Sequence, residues 1–405
     1  MAIELSNITF TEQDDIVPPS GVEQILNTGV ANTLAGNDRI IGTGNNYGFI
    51  NVGTLNTDDG NDTLTGTATS SGIGIIISFG STLDTGKGDD QISGTGNVNN
   101  GFVNGGTVNT SDGRDGISAI GIIDGFINEG TGTLNTGDGS DRILGAGNDN
   151  GFINRGIFNT DDGDDTISGL SIRSGIITNS GSILDTGNGN DIITGIGSLS
   201  VGIRNGGTIN TGNGEDSIIS EGNFINRGEI FLGDGNDSIT NIRSSNPNFE
   251  NFNFIGTGDG DDIISTRVIY NEGVINTGNA NDSIIVNESI YNNGGSINTG
   301  DGNDSLIANG GFQSGLNNSG TVFLGEGEDY MKGFGSGDFY GGNGNDTLEL
   351  TPGTYTVGIW GSGGESVIFS KGNQLMITSE FETLKAGNTL YDFTSLTAGQ
   401  IITLA

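Results

Sequence analysis

The chain has 405 residues, of which 77 are Gly and only 4 are Pro, and it contains neither Cys nor His. Its 50 acidic residues outnumber its 13 basic residues, which gives a formal net charge of −37. These features exclude disulfides, thiolate chemistry, Ser-His-Asp triads and His-ligated zinc, and they argue against nucleic acid as a partner, since phosphates are bound by clustered Lys and Arg.

The N-terminal segment, residues 1–33, precedes the repeats and is predicted to cap them. It has no basic region followed by an apolar run, so we expect no cleavable signal peptide. No stretch of the sequence reaches the roughly 18 apolar residues that a membrane helix needs, so we also expect no membrane span.

Residues 34–350 repeat a short Gly-Asp motif, of which T-G-D-G-S-D at residues 136–141 is one copy. Each repeat, which is one motif together with the residues up to the next motif, contains three strand-like pieces separated by the turn formers Gly, Asn and Asp. Apolar side chains recur at one fixed place in each piece, as at Ile143, Leu134 and Phe126. A single repeat cannot bury such a row, whereas stacked repeats can. The sequence therefore predicts an all-β parallel β-helix with about three short strands per coil of about 24 residues.

Stacking the turns would bring the last Asp of each motif close to its equivalents one coil above and below. Carboxylates about 5 Å apart repel by roughly 1 kcal/mol per pair even in water. Ca²⁺ would compensate this repulsion, because it takes about six to eight oxygen ligands from carboxylates and backbone carbonyls. The glycines allow a sharp turn that directs carbonyls at one point. The alternative is a metal-free row of Asn, Gly and Asp turns, where Asn would serve as well as Asp.

At these turns the sequence resembles the repeats-in-toxin (RTX) family, whose calcium-binding nonapeptide is G-G-x-G-x-D-x-U-x with an apolar residue at U. Residues 341–349 match every fixed position, and residues 58–64 and 299–306 match from the fourth position on. The resemblance covers most of residues 34–350. It implies a right-handed β-roll that holds about a dozen Ca²⁺ ions between coils. The first Gly is usually Thr here, and each coil carries one motif instead of two, so we expect one row of ions.

The resemblance places the calcium ligands on motif carboxylates and on glycine carbonyls. The candidate carboxylates are Asp38, Asp59, Asp62, Asp90, Asp115, Asp138, Asp141, Asp162, Asp165, Asp191, Asp216, Asp234, Asp237, Asp259, Asp262, Asp282, Asp301, Asp304, Asp329 and Asp346. The candidate carbonyls belong to Gly60, Gly139, Gly163, Gly189, Gly214, Gly235, Gly260, Gly302, Gly327 and Gly344. Two sites are expected to be weak, because Ala280 replaces the fourth-position Gly before Asp282 and Lys87 brings a positive charge near Asp90.

The C-terminal segment, residues 351–405, loses the repeat and alternates apolar and polar residues. Its end resembles the C-terminal ends of secreted RTX proteins, which implies recognition by a type I exporter. A β cap that closes the last coil is the alternative, and both can hold.

These features favour a secreted, extracellular or cell-surface calcium-binding protein with a structural or adhesive role that is not an enzyme. Its expected partners are calcium, the type I exporter, and cell-surface polysaccharide or other surface proteins. One alternative is a calcium-dependent ice-binding protein, although Glu229 and Val274 interrupt the outward column that would form its ice face. That column reads Thr54, Thr82, Thr107, Thr133, Ile157, Ile183, Thr208, Glu229, Val274, Ser296 and Thr321. The other is a non-catalytic module of a polysaccharide-acting enzyme.

Overall fold

The computed structural model describes residues 2–18, 23–242, 248–313, 319–361 and 366–404. It divides into two compact units, Met1–Asn223 and Phe224–Ala405. Both are built from short β-strands, and the described residues contain only two short 3₁₀ helices, Leu5–Asn7 and Phe393–Ser395. Within the same ranges, no helix is long and apolar enough to cross a membrane.

In the first unit each coil contributes three strands, and each strand pairs in parallel with its equivalents in the neighbouring coils. The first strands, which follow the inner turns of the coils, are Ile16–Val17, Arg39–Gly44, Thr63–Ala68, Gln91–Gly96, Gly116–Gly121, Arg142–Gly147 and Thr166–Ser171. All of these turns except the one before Ile16–Val17 are Gly-Asp turns. The second strands are Ala2–Glu4, Gln24–Asn27, Tyr47–Asn51, Ile73–Ile77, Phe102–Asn104, Asp124–Asn128, Asn150–Asn154 and Ser174–Thr178. In Ile192–Asn205 and Ser217–Asn226 the first and second strands are continuous. The third strands are Val30–Asn32, Thr54–Asn56, Thr82–Asp84, Thr107–Asn109, Thr133–Asn135, Ile157–Asn159, Ile183–Asp185 and Thr208–Asn210.

The second unit repeats this arrangement. Its first strands are Ser238–Ile242, Ile263–Thr266, Ser283–Val286, Ser305–Ala308, Tyr330–Lys332, Thr347–Glu349 and Thr383–Ala386, and its second strands are Phe249–Asn251, Ile269–Asn271, Ser289–Asn292 and Gly311–Gln313. Its third strands are Glu229–Asp234, Phe254–Asp259, Val274–Asn279, Ser296–Asp301, Thr321–Gly327, Gly337–Gly344 and Gln374–Ser379. The antiparallel strands Gly353–Trp360, Ser366–Lys371, Thr389–Asp392 and Ile401–Leu404 complete this unit.

The three predicted apolar columns form the core of each unit. Ile143 on a first strand, Phe126 on a second and Leu134 on a third are fully buried, and their equivalents in neighbouring coils are buried as well. Phe126 stacks on Phe152 of the next coil with ring centroids 5.3 Å apart. The predicted all-β parallel solenoid is therefore confirmed, whereas its handedness stays a prediction.

A ladder of buried Asn side chains lies at the end of the second strands, and the sequence analysis did not identify it. Asn104 donates from Nδ2 to Oδ1 of Asn128 at 2.9 Å, and Asn128 donates in the same way to Asn154 at 2.9 Å. Each amide also reaches a third-strand carbonyl, as Asn104 does at Thr133. The ladder satisfies backbone groups at a corner that water cannot reach, which is a condition for burying it.

The second glycine of the motif, which is Ala280 in one repeat, suits the close stacking of the turns. Gly163 has φ +154°, and a Cβ there would lie 1.6 Å from the carbonyl oxygen of Gly139 one coil earlier. Gly139 and Gly189 face the same contact with the turns before them. The glycine column therefore has a structural cause whether or not its carbonyls bind a metal.

Candidate metal site

The last Asp of each motif forms a continuous row inside each unit, which we call the inner row. The backbone N–H of each inner Asp donates to Oδ1 of the inner Asp one coil later. Asp141 donates to Asp165 at 2.7 Å, and Asp165 donates to Asp191 at 2.8 Å. In the first unit these bonds run from Asp38 to Asp216, and in the second from Asp237 to Asp346.

The row of the first unit begins one rung before the first predicted ligand, at Asp15, whose N–H donates to Oδ1 of Asp38 at 2.8 Å. Sequence analysis missed this rung because the turn lacks the motif glycines. A signal was present, since Val17 is an apolar residue two positions after Asp15, as in every repeat. Asp15 differs from the later rungs, because its Oδ2 accepts the N–H of Thr11 at 2.8 Å.

The second carboxylate oxygen of the inner row is the unusual feature of the site. Every inner Asp from Asp38 to Asp346 is at most 3% exposed. Among the described residues, Oδ2 is buried and accepts no hydrogen bond in Asp38, Asp115, Asp141, Asp165, Asp191, Asp262, Asp282, Asp304, Asp329 and Asp346. A buried acceptor left without a donor costs about 1–3 kcal/mol, and more when it is charged.

A Thr five residues before most inner Asp residues lies beside the carboxylate. The hydroxyls of Thr57 and Thr85 donate to Oδ2 of Asp62 and Asp90. In other coils the single hydroxyl proton is used elsewhere, as when Thr160 donates to the carbonyl oxygen of Thr186 at 3.2 Å. The Thr column therefore leaves most of the row without a proton donor.

Burial raises the pKa of these carboxyls above the ordinary value of an Asp. The pKa rises to about 8 in Asp90 and Asp165, although the N–H of the preceding rung lowers it in part, as does the hydroxyl of Thr85 in Asp90. The negative charges of adjacent rungs raise it further. The pKa rises to about 7 in Asp115, Asp191 and Asp282, to about 6 in Asp62, Asp141, Asp262, Asp304, Asp329 and Asp346, and in the same direction in Asp38 and Asp216.

The remaining candidate carboxylates do not join the inner row. Asp59, Asp138, Asp162, Asp234, Asp259 and Asp301 are exposed on the outside of the turns. Asp162 accepts Nδ2 of Asn188 at 2.7 Å, and Asp259 accepts Nδ2 of Asn279 at 2.5 Å. These side chains therefore link neighbouring turns from outside.

The two positions expected to be weak keep the arrangement of the row. Ala280 adopts a positive φ of 85° in place of glycine, and Asp282 still accepts the N–H of Asp262 at 2.9 Å. Lys87 is exposed and pairs with Asp112, with Nζ 2.5 Å from Oδ2. Its charge is therefore directed at the outer face of the next coil.

The inner row fits a hard cation in its chemistry. It offers buried carboxylate oxygens that lack hydrogen-bond donors. However, among the described residues no three Asp or Glu side chains converge on one point. A cation would therefore use carboxylates of adjacent rungs and take its other oxygen ligands from backbone carbonyls and water, a mixture that Ca²⁺ accepts.

Comparison with known proteins adds little to this description. No protein-family model matches the chain, and no curated protein matches it. One solved structure that resembles it is that of a hyperactive, Ca²⁺-dependent, β-helical antifreeze protein from an Antarctic bacterium, with 18% sequence identity and a TM-score of 0.42 over 80% of this chain and 84% of that chain. The RTX resemblance therefore rests on the repeat motifs alone.

Proposed function

We propose that the chain is a non-catalytic, calcium-binding β-solenoid protein of the RTX type that acts outside the cell as a structural or adhesive element. The supporting observation is the row of buried Oδ2 atoms without donors. An Asn would accept the N–H of the preceding rung as well as an Asp does. The inner position is nevertheless Asp in every motif, whereas the position before it admits Asn, Asp, Ser, Arg and Glu.

Protonation of the inner carboxylates is the alternative to cation binding as a means of neutralising the row. With pKa values of about 6 to 8, part of the row would be protonated at neutral pH in the absence of a cation. Calcium would have to displace these protons, so its binding should release protons and strengthen as the pH rises.

A calcium titration of the full chain at pH 8 tests the proposal. Each site filled at about 100 times its Kd adds about 2.7 kcal/mol to the stability of the folded state. We therefore expect several bound ions and a melting temperature that rises by more than about 10 °C between excess EGTA and millimolar calcium. Magnesium, which demands a stricter geometry, serves as the control and should stabilise much less. Equal melting temperatures in EGTA and calcium would contradict the proposal.

Secretion by a type I exporter is part of the same proposal, since calcium sites of modest affinity would fill at the calcium concentrations found outside cells. A chain truncated at Gly353 should remain inside the cell while its first unit still binds calcium. Normal amounts of that truncated chain in the medium would contradict the exporter assignment.

Ice binding is the second candidate, and the third strands of the first unit favour it. Thr54, Thr82, Thr107 and Thr133 are aligned in register on four successive coils, and Asx side chains at positions 56, 84, 109 and 135 form a parallel column beside them. The spacing is about 4.8 Å between coils and about 6.6 Å along a strand. Ile157 and Ile183 replace Thr on the next two coils of the first unit, and Glu229 and Val274, which count against an ice face, lie in the second unit.

A thermal-hysteresis measurement in millimolar calcium tests this candidate. We expect hysteresis in the native chain and its loss in Thr107→Tyr, which disrupts the array at its centre. Thr65→Tyr, on a first strand, is the control and should keep it. A native chain without hysteresis would eliminate the candidate and leave the structural role.

A further inference from the structure

The C-terminal segment continues the inner row with a residue that belongs to no motif. Thr347 and Leu348 pair in register with Thr383 and Leu384, so Glu382 stands where the next inner Asp would be. The N–H of Asp346 donates to Oε2 of Glu382 at 2.7 Å, and the N–H of Thr383 donates to the carbonyl of Asp346 at 3.0 Å.

The same two bonds join neighbouring rungs within each unit. Asp329 donates its N–H to Oδ1 of Asp346 at 2.9 Å, and Thr347 donates its N–H to the carbonyl of Asp329 at 2.8 Å. The turn before Glu382 reads Ser379-Glu380-Phe381, without glycine, and Glu380 takes up a positive φ of 62°. The two hydrogen bonds of the row are therefore kept at a turn whose residues no motif would identify, although Glu380 differs in φ from the motif glycine at that place, as in Gly344 with φ +152°.

The oxygen atoms around this last rung differ from those of the other rungs. Asp346 is fully buried, and its Oδ2 accepts no hydrogen bond from the described residues. Gly341 stands where most other motifs have Thr, and a Cβ there would lie 1.9 Å from the carbonyl oxygen of Glu380 and 2.8 Å from Oδ2 of Asp346. The glycine thus makes room for the backbone of Glu380 and leaves this rung without the Thr hydroxyl that most other rungs have.

Negative charge is concentrated at this end of the row. Burial raises the pKa of Asp346 to about 6, and the negative charges of Asp329, Glu382 and Glu380 contribute to this rise. An open cleft lined by Asn345, Glu382, Tyr391 and Asp392 lies beside the rung and gives access from solvent.

We propose that Glu382 and Asp346 together hold the last cation of the second unit, so that calcium fastens the C-terminal segment onto the final coil. This inference rests on the proposed calcium binding of the inner row and assigns to it a ligand outside the repeats. If Glu382 were only a hydrogen-bond acceptor for Asp346, a glutamine would replace it without loss.

The test compares Glu382→Gln with Glu328→Gln in the full chain. Both changes remove one negative charge, and Glu328 is an exposed residue beside Asp329 that stays outside the inner row. Calcium stoichiometry and affinity are measured by equilibrium dialysis, and hydrogen exchange reports on residues 380–386. We expect Glu382→Gln to weaken one site by roughly tenfold or more, since changes around a metal site cost about 10- to 100-fold.

The exchange of residues 380–386 in millimolar calcium should accelerate in Glu382→Gln and not in Glu328→Gln. In EGTA, where no calcium is bound, neither variant should melt below the native chain. A Glu382→Gln variant that keeps every calcium ion and its exchange protection would overturn this inference alone. A variant that melts lower in EGTA as well would overturn it too, because the role would then be structural. A native chain that binds no calcium would overturn the proposed function as well.

Discussion

Replacing Asp165 by Asn should stabilise the chain without calcium and destabilise it with calcium. In EGTA at pH 8, close to its raised pKa of about 8, the carboxylate of Asp165 is about half ionised, and it is buried and without a donor at Oδ2. An Asn keeps the bond from the N–H of Asp141, carries no charge, and can donate from Nδ2 to the hydroxyl oxygen of Thr160. Removing the unsatisfied acceptor should gain about 1–3 kcal/mol.

In millimolar calcium the sign should reverse, because the amide is a neutral and weaker ligand for a hard cation. The chain should lose at least one bound ion, and its melting temperature should fall below that of the native protein. The adjacent Asp164→Asn is the matched control, since Asp164 is exposed and accepts the N–H of Asn190 at 2.8 Å from the outer face. It should change stability by no more than about 0.5 kcal/mol in either buffer.

Thermal melts of both variants in EGTA and in calcium test whether calcium occupies the rung of Asp165. If Asp165→Asn stabilised the chain in both buffers, calcium would not occupy that rung. If it destabilised the chain in both, the carboxylate would have a structural role that its hydrogen bonds do not reveal.

Much of the fold could be predicted from the sequence, because each coil repeats the same apolar positions. Ile143, Leu134 and Phe126 recur at fixed offsets from the motif Asp, and the structure buries all three columns. The Asn ladder was missed, since Asn128 and its equivalents are also common in turns and nothing in the spacing distinguishes a buried amide from an exposed one.

The inner row was predicted in position but not in its bonding. Sequence spacing places Asp141 beside Asp165, yet only the turn conformation determines that the N–H of one uses Oδ1 of the other and leaves Oδ2 without a donor. Glu382 and Asp15 could not be found from the motif, because both turns lack its glycines, and strand register and the hydrogen bonds of the row reveal their place.

The stability of the calcium-free chain should fall steeply as the pH rises from about 4 to about 8. The inner carboxyls have folded-state pKa values raised above the ordinary 3.8, up to about 8 in Asp90 and Asp165. The folded state therefore binds more protons than the unfolded chain in this range, so raising the pH favours unfolding. Each unit of pKa difference corresponds to about 1.4 kcal/mol per carboxyl. The slope levels off above the folded-state values.

Calcium should remove this dependence, because an ion that neutralises adjacent rungs takes over the role of the protons and binds better once they have left. Melting temperatures at pH 5 and pH 8, in EGTA and in millimolar calcium, provide the measurement. In EGTA we expect a fall on the order of 10 °C or more between the two pH values. In calcium the two melting temperatures should approach each other. A calcium-free chain equally stable at pH 5 and pH 8 would mean that the inner carboxyls lose their protons without penalty, and the electrostatic reason for a cation in the row would disappear.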